Sequence, residues 1–476
     1  MDYLRTPAVH RLLTAPVGRV FTSRIFESYK ARSLPADFGV TRARAAADVA
    51  LGSGPNTYLK EVGAPPAPSL DRRITHALAQ YADIREAYDA TMAKWNDVFW
   101  EDYESLPDER VALERERREC AHQHAKPTDV FGFLTSEHYV PPVKFETPDA
   151  ETARTRWRHE LAEPERLYGF SEMRTAEQVP RVERSATVRG PNTTEYVLRF
   201  PSPAAHLGDM ATARVYEPAD GDDSLPTLVY HSGWGSLNDQ GTYWPEEEAL
   251  GRTLSPRGFR VILPDAPWHG RRERPGFYSG EPYIARVPEG MFTLYAGAAL
   301  ETAVLTDWAR TEGAPAVGVG GTSLGGTIAL HVAGWCDYWP ESMRPDRLFV
   351  VGAPGSITQT IPSSDLTPML GLDSALDVAG WNGEALREFA PLLNPPSEPA
   401  LDPSKIFTFS GRRDRMAPFA TTRTLIEQWG VPARNQVEWN CGHFGVLSNM
   451  IRTGGVQRKI RRQLDDASRE KERIAA

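Results

Sequence analysis

The chain has 476 residues, 41% of them hydrophobic, enough to bury a large core and hold one big domain with an accessory one. Its 54 basic and 63 acidic side chains leave a net charge of −9, which argues against gripping a phosphate backbone and so against nucleic-acid binding. Cys120, Cys336 and Cys441 lie far apart without a C-x-x-C pair, so neither a disulfide framework nor a zinc site is expected, and a reducing cytoplasm is the default.

The first stretch, "MDYLRTPAVHRLLTAPVGRVF", lacks the unbroken apolar core of a secretory signal. No run approaches the ~18–20 apolar residues of a membrane span. Arg5, Arg11, Arg19, Arg24 and Lys30 interleave with Leu12, Leu13, Val20, Phe21 and Ile25. Such a stretch can rest on an anionic membrane surface. The plainer reading, preferred here, docks it on the protein with its arginines in water.

After the linker-like "GAPPAPS" at 63–69, Ile74, Leu78, Tyr81, Ile84, Tyr88, Met92, Trp95 and Phe99 recur at steps of three and four. This is one apolar stripe on a long helix, expected to be a packed face rather than a ligand tunnel. "DERVALERERREC" continues as a more polar helix. Residues 1–190 therefore read as a mostly helical accessory or cap region.

The texture changes near 193. "TEYVLRF", "ATARVYEP", "PTLVYH", "FRVILPD", "AVGVG", "RLFVVGAP", "KIFTFSG" and "QVEWNC" are short β-branched or aromatic runs closed by turn residues. From the third onward, helix-length segments separate them, which predicts parallel strands covered on both faces: a doubly wound α/β sheet with two antiparallel strands ahead of it. The core reads as 191–355 and 404–476. The excursion 356–403 interrupts it where an insertion covers the carboxyl ends of strands, as a lid does.

"GGTSLGG" lies where a strand ends and an apolar helix begins. A G-x-S-x-G run in that setting puts Ser323 on a tight, strained turn, its glycines required because a β-carbon would collide with neighbouring elements. The helix N-terminus directs N–H groups at the oxygen of an attacked carbonyl. A serine hydroxyl needs a base. Of 11 histidines, His443 in "WNCGHFGVL" follows the last strand on a loop, and imidazole titrates near ~6.5, which suits proton shuttling. His231 and His269 are competitors that belong to other loop motifs. Asp414 in "SGRRDRMAP", just past a strand, is the carboxylate that would orient the base; Asp365, Asp373 and Asp377 are rivals whose simpler role is solvation. Oxyanion donors are sought in the backbone N–H of Leu324 and, from "YHSGWGSLNDQ", the backbone N–H of Trp234. Trp268, Met369, Leu370 and Phe444 are candidate pocket residues, and "EGMFTLY" a candidate rim. In "LPDAPWHGRRERP", Arg271, Arg272 and Arg274 either meet an anionic substrate group or, as preferred here, form surface ion pairs with Glu273 or Glu281.

Over 190–465 these residues resemble the α/β-hydrolase superfamily; Asp265, His269 and Gly270 are similar to its D-x-x-G-H-G-x-S loop, with Pro267 or Trp268 replacing the first glycine. "GAALETAVLTDWARTEGAPAVGVGGTSLGG" is similar to the helix, strand and elbow of the alpha/beta hydrolase domain-containing protein 18 group. The superfamily resemblance implies a sheet of about eight strands and a Ser323, His443, Asp414 triad, with no metal or organic cofactor. The expected activity is hydrolysis of a small-molecule carboxylic ester with an apolar acyl or aromatic part. The alternatives are carbon–carbon bond cleavage in an aromatic breakdown product by the same triad, lipid hydrolysis at a membrane surface, acyl transfer to another alcohol, and a non-catalytic binding protein on this fold.

Overall fold

The computed structural model describes residues 6–101, 105–136, 140–170, 179–220, 224–235 and 245–475. Ten strands form one sheet: β1 (Glu183–Arg184), β2 (Val188–Arg189), β3 (Thr193–Pro201), β4 (Met210–Pro218), β5 (Thr227–His231), β6 (Arg260–Pro264), β7 (Val317–Thr322), β8 (Arg347–Val351), β9 (Ile406–Gly411) and β10 (Gln436–Trp439). Their order is β1-β3-β4-β6-β5-β7-β8-β9-β10, with β2 also on β3. From β6 to β10 every pairing is parallel, while β3 and β4 are antiparallel. The eight runs read from the sequence are β3 to β10. Two-residue β1 and β2, too short for any periodicity, share the edge of β3.

Alternation along each strand sorts side chains to two faces. Val229, Ile262, Val319, Leu348 and Val350 pack with the helices Glu289–Thr311, Leu324–Trp335 and Phe419–Gln428. Leu228, Tyr230, Val261, Phe349, Val351, Phe407 and Phe409 pack with Glu246–Leu254, His443–Thr453 and Gly455–Ala475. The sheet is thus buried on both sides, as a parallel sheet must be. β5 connects toward β6 and β7 from opposite sides, so the crevice at the carboxyl ends of β5 and β7 is the switch point where such folds place a site.

The stripe from Ile74 is a packed face: Ile74, Leu78 and Tyr81 bury against Phe131 and Leu134 on the helix Asp71–Asn96, and Trp95 stacks on Phe99. The more polar helix, Pro107–Ala125, buries part of its charge. Glu114 is buried and accepts from Arg117 at 2.8 Å, Arg214 of β4 at 2.6 Å and the Trp95 indole at 2.9 Å. Arg118 extends this network to Glu248 at 2.7 Å, tying the N-terminal helices to the sheet.

The excursion 356–403 forms five short helices, and Ile361, Leu370, Leu372, Leu376, Trp381 and Phe389 within it join the main core. Other expectations change. Within "EGMFTLY", Phe292, Leu294 and Tyr295 are fully buried in the helix Glu289–Thr311, so the segment is core rather than rim. The arginine loop pairs inward, and with other partners than those expected. Arg271 reaches Asp265 at 2.9 Å and Arg272 reaches Glu301 at 2.8 Å, while Glu273 and Glu281 take Arg44 and Arg42 of the helix Arg24–Ala50. In the opening segment His10 and Leu13 are buried and Arg11, Arg19 and Arg24 face water, yet Leu12, Val20 and Ile25 are exposed as well.

Among the described residues no helix is long and apolar enough to cross a membrane, no cluster of side chains is suited to a metal ion, and all three cysteines are free.

Candidate active site

Ser323 stands between β7 and the helix Leu324–Trp335 with φ 54° and ψ −114°, a conformation costing a non-glycine residue about 1–3 kcal/mol. Its N–H donates to the Val351 carbonyl of β8 at 2.8 Å and its carbonyl accepts the Thr327 N–H at 3.0 Å, which hold the turn. The glycines around it are required by space. A β-carbon on Gly321 would strike the Gly325 backbone, and one on Gly325 would strike the His231 carbonyl at the end of β5. The 12-residue helix beginning at Leu324 leaves its first N–H groups without intrahelical partners beside Ser323.

The loop after β5 lies against this elbow: a β-carbon on Gly233 would be 3.7 Å from Ser323 Cβ. Trp234 follows, its indole donating to the Gly280 carbonyl at 2.8 Å and its ring stacked on Phe38 at 4.4 Å. The "SLNDQ" part of the expected oxyanion loop, 236–240, lies outside the described residues.

His443 opens the helix His443–Thr453 directly after β10. Its Nδ1 is 2.7 Å from Asp414 Oδ2, and both side chains are buried. Asp414 Oδ1 accepts the Met416 and Ala417 N–H groups at 3.0 and 2.9 Å, leaving Oδ2 to the imidazole. With Nδ1–H donating to Asp414, Nε2 carries the free lone pair. Burial alone would lower the His443 pKa, but the Asp414 charge and hydrogen bond, with a further charge from Glu27, raise it above the ordinary value.

Val446, one turn after His443, packs on Gly352, next to the Val351 carbonyl that holds Ser323 N–H. The elbow and the helix that begins at His443 thus both reach the end of β8. No hydrogen bond joins Ser323 Oγ to His443 Nε2 among the described residues. Such contacts often tighten only when substrate binds.

The competing residues have other surroundings. His231 Nε2 meets Thr302 Oγ1 at 2.7 Å and burial pushes it down to about 3; His269 is buried against the Pro267 carbonyl and pushed down to about 4. Asp365 pairs with Arg415 at 2.8 Å, and Asp373 and Asp377 are exposed. Trp268 and Leu370 are packed in the main core, whereas Met369 and Phe444 keep part of their surface.

Two contributors carry no mark in the sequence. Glu27, on the helix Arg24–Ala50, accepts the Phe444 and Gly445 N–H groups, each at 3.2 Å. Glu247 is buried beside the elbow; burial and the neighbouring Glu246 raise its pKa, opposed by hydrogen bonds with Thr322 and the Gly233 backbone.

The strand order, the strained serine after the central β7 and the acid and histidine after β9 and β10 define the α/β-hydrolase fold. No protein-family profile and no curated protein sequence matches the chain. Among solved structures it is similar to an acetyl xylan esterase from Paenibacillus sp. R4, with 17% identity over 68% of this chain and 97% of that one, TM-score 0.45. It is also similar to a brefeldin A esterase described as a bacterial homologue of human hormone-sensitive lipase, with 15% identity over 70% and 89%, TM-score 0.38. Esterase B from Lactobacillus rhamnosis, inhibited by a tributyrin phosphonate, matches at 13% identity over 68% and 97%, TM-score 0.38.

Proposed function

We propose that the protein is a serine hydrolase of carboxylic esters. The observation that carries this reading is the buried His443–Asp414 pair at 2.7 Å, past the carboxyl ends of β9 and β10, at the same end of the sheet as Ser323 in its strained turn after β7. Ser323 Oγ attacks the acyl carbon while His443 Nε2 takes its proton. The tetrahedral oxyanion is held by the backbone N–H groups of Leu324 and Trp234. His443 returns the proton to the departing alcohol, and water, activated by the same nitrogen, releases the acid from the acyl-enzyme. Asp414 keeps the tautomer and stabilises the imidazolium. The chain's own residues complete this chemistry. The resemblance to the alpha/beta hydrolase domain-containing protein 18 group rests on the helix, strand and elbow around Ser323.

A fluorophosphonate probe tests it. Wild type is expected to be labelled and Ser323→Ala not; equal labelling removes Ser323 from the mechanism. Turnover of para-nitrophenyl esters against β-diketones separates ester from carbon–carbon cleavage.

A second reading concerns where the ester lies. Val17, Val20, Ile25 and Tyr29 are 58%, 53%, 82% and 66% exposed, and with Arg11, Arg19 and Arg24 they make the outer face of three consecutive helical segments. Exposed apolar side chains flanked by arginines suit an anionic lipid surface. These segments pack on the helix that begins at His443. We therefore propose a lipid–water interface as the place of action. Co-sedimentation with phosphatidylglycerol vesicles, lost in Ile25→Glu/Tyr29→Glu, is the expected result; equal recovery in the supernatant with and without vesicles sinks it.

A further inference from the structure

We propose that Glu27, from the N-terminal helix, is a positioning residue for the catalytic base; the inference rests on the Ser323–His443–Asp414 reading. The helix His443–Thr453 begins with Gly442 as its N-cap, a residue with no side chain to accept the first free N–H groups. Glu27 supplies that cap from 417 positions away, one carboxylate oxygen on Phe444 N–H and the other on Gly445 N–H, both at 3.2 Å. The loop is shaped around it. A β-carbon on Gly442 would collide with the Glu27 carboxyl, so the glycine before the histidine makes room for an acid on a distant helix. The same carboxylate adds its charge to that of Asp414 in favouring the imidazolium, the form His443 takes in both transition states.

His443 is therefore approached by Asp414 from the β9 loop and Glu27 from the helix Arg24–Ala50. Lys30, one turn beyond Glu27, holds its ammonium 5.8 Å from the centre of the Phe444 ring. Arg413 donates to the Asn440 carbonyl on the neighbouring loop, and Cys441 is a thiol pushed up to about 11 by burial. Glu27's own carboxyl is raised by burial and drawn back by the two amides and the His443 charge.

The test is the pH dependence of kcat/KM on a water-soluble ester, measured with full-length Glu27→Gln and Glu27→Ala beside wild type. Removing the charge is expected to move the acid limb down by about 0.5–1 pH unit, because a like-for-like loss of one nearby opposite charge lowers an imidazole pKa by that order. On the plateau above the acid limb, kcat is expected to fall about tenfold with KM little changed, since capping and charge act on the transition state. Glu27→Gln keeps the side chain's size and one acceptor, so it decides the matter even if Glu27→Ala folds poorly. An acid limb that stays in place in Glu27→Gln overturns the proposal, whatever happens to activity or melting temperature. The triad reading fails separately: His443→Ala would then retain wild-type activity with the limb intact.

Discussion

Phe38 stacks face to face on Trp234, ring centres 4.4 Å apart and planes inclined by 29°, so the helix Arg24–Ala50 braces the loop that borders Ser323. Tyr278 completes the stack on Phe38 at 5.8 Å. An aromatic pair of this kind is worth about 0.5–1.5 kcal/mol beyond its buried area. Phe38→Ala is expected to lower kcat/KM by roughly tenfold through displacement of the Trp234 backbone, a cost typical of a slightly misplaced donor. Stopped-flow rates of fluorophosphonate labelling would show it. A labelling rate unchanged from wild type would mean that the Trp234 backbone does not depend on Phe38.

The His443–Asp414 pair makes activity pH-dependent in a defined direction. Burial works against the protonated imidazole, but the Asp414 and Glu27 charges outweigh it and raise the pKa. Nε2 must be unprotonated to act, so kcat/KM is expected to be lost as pH falls, with the acid limb above the ordinary ~6.5 of histidine. The same raised pKa means the pair's contribution to stability is fully present below the unfolded-state value and fades as pH rises through the folded one. Asp414→Asn removes the tautomer's anchor, and kcat is expected to fall about 10³–10⁴-fold. A bell-shaped profile centred well below neutrality, or an Asp414→Asn variant with ordinary turnover, would contradict this assignment.

The local features of the site were open to reading in the sequence because each is a short-range pattern. β3 to β10 announce themselves as β-branched runs between turn residues, and in Gly321-Thr322-Ser323-Leu324-Gly325 the steric reason for Gly321 lies within five positions, though that for Gly325 lies on β5. The features that escaped are those made by distant contacts. Glu27 and Phe38 sit on a helix whose small residues, from Gly39 to Ala50, bury without a clear apolar period. Glu114, Arg117 and Arg118 read only as part of a more polar helix, because a buried ion network looks in sequence like a surface one. The inward pairing of Arg271 and Arg272 was hidden for the same reason.

That network supports a stability prediction. Burial alone would push the Glu114 carboxyl up, but Arg117, Arg214 and Arg118 hold it well below the ordinary value. Glu114→Ala leaves buried guanidinium groups without their acceptor, a change that costs about 3–5 kcal/mol. Its effect should appear in urea melts as a lower midpoint, with the helical signal of the N-terminal region lost first. Because the folded pKa is depressed, the wild-type advantage is present above the unfolded value of ~4.3 and is lost as pH falls toward the folded one. A variant with a wild-type midpoint at pH 7 would show that the N-terminal helices hold to the sheet by apolar contact alone.

Ser323 itself predicts a separation of stability from function. At φ 54° and ψ −114° any residue with a β-carbon is strained, and Ser323→Ala keeps that strain while removing the nucleophile. Ser323→Gly removes both. Glycine gives back about 0.5–1 kcal/mol through its freer unfolded chain, against about 1–3 kcal/mol of relieved strain. Both variants are expected to be inactive, but Ser323→Gly should melt higher than Ser323→Ala by the equivalent of about 1 kcal/mol, within reach of differential scanning calorimetry. The comparison isolates the turn, because Ser323 Oγ has no hydrogen-bond partner among the described residues whose loss would cloud it. If the glycine variant melts below the alanine one, the elbow stores no strain, and the glycines at 321 and 325 are there for steric room alone.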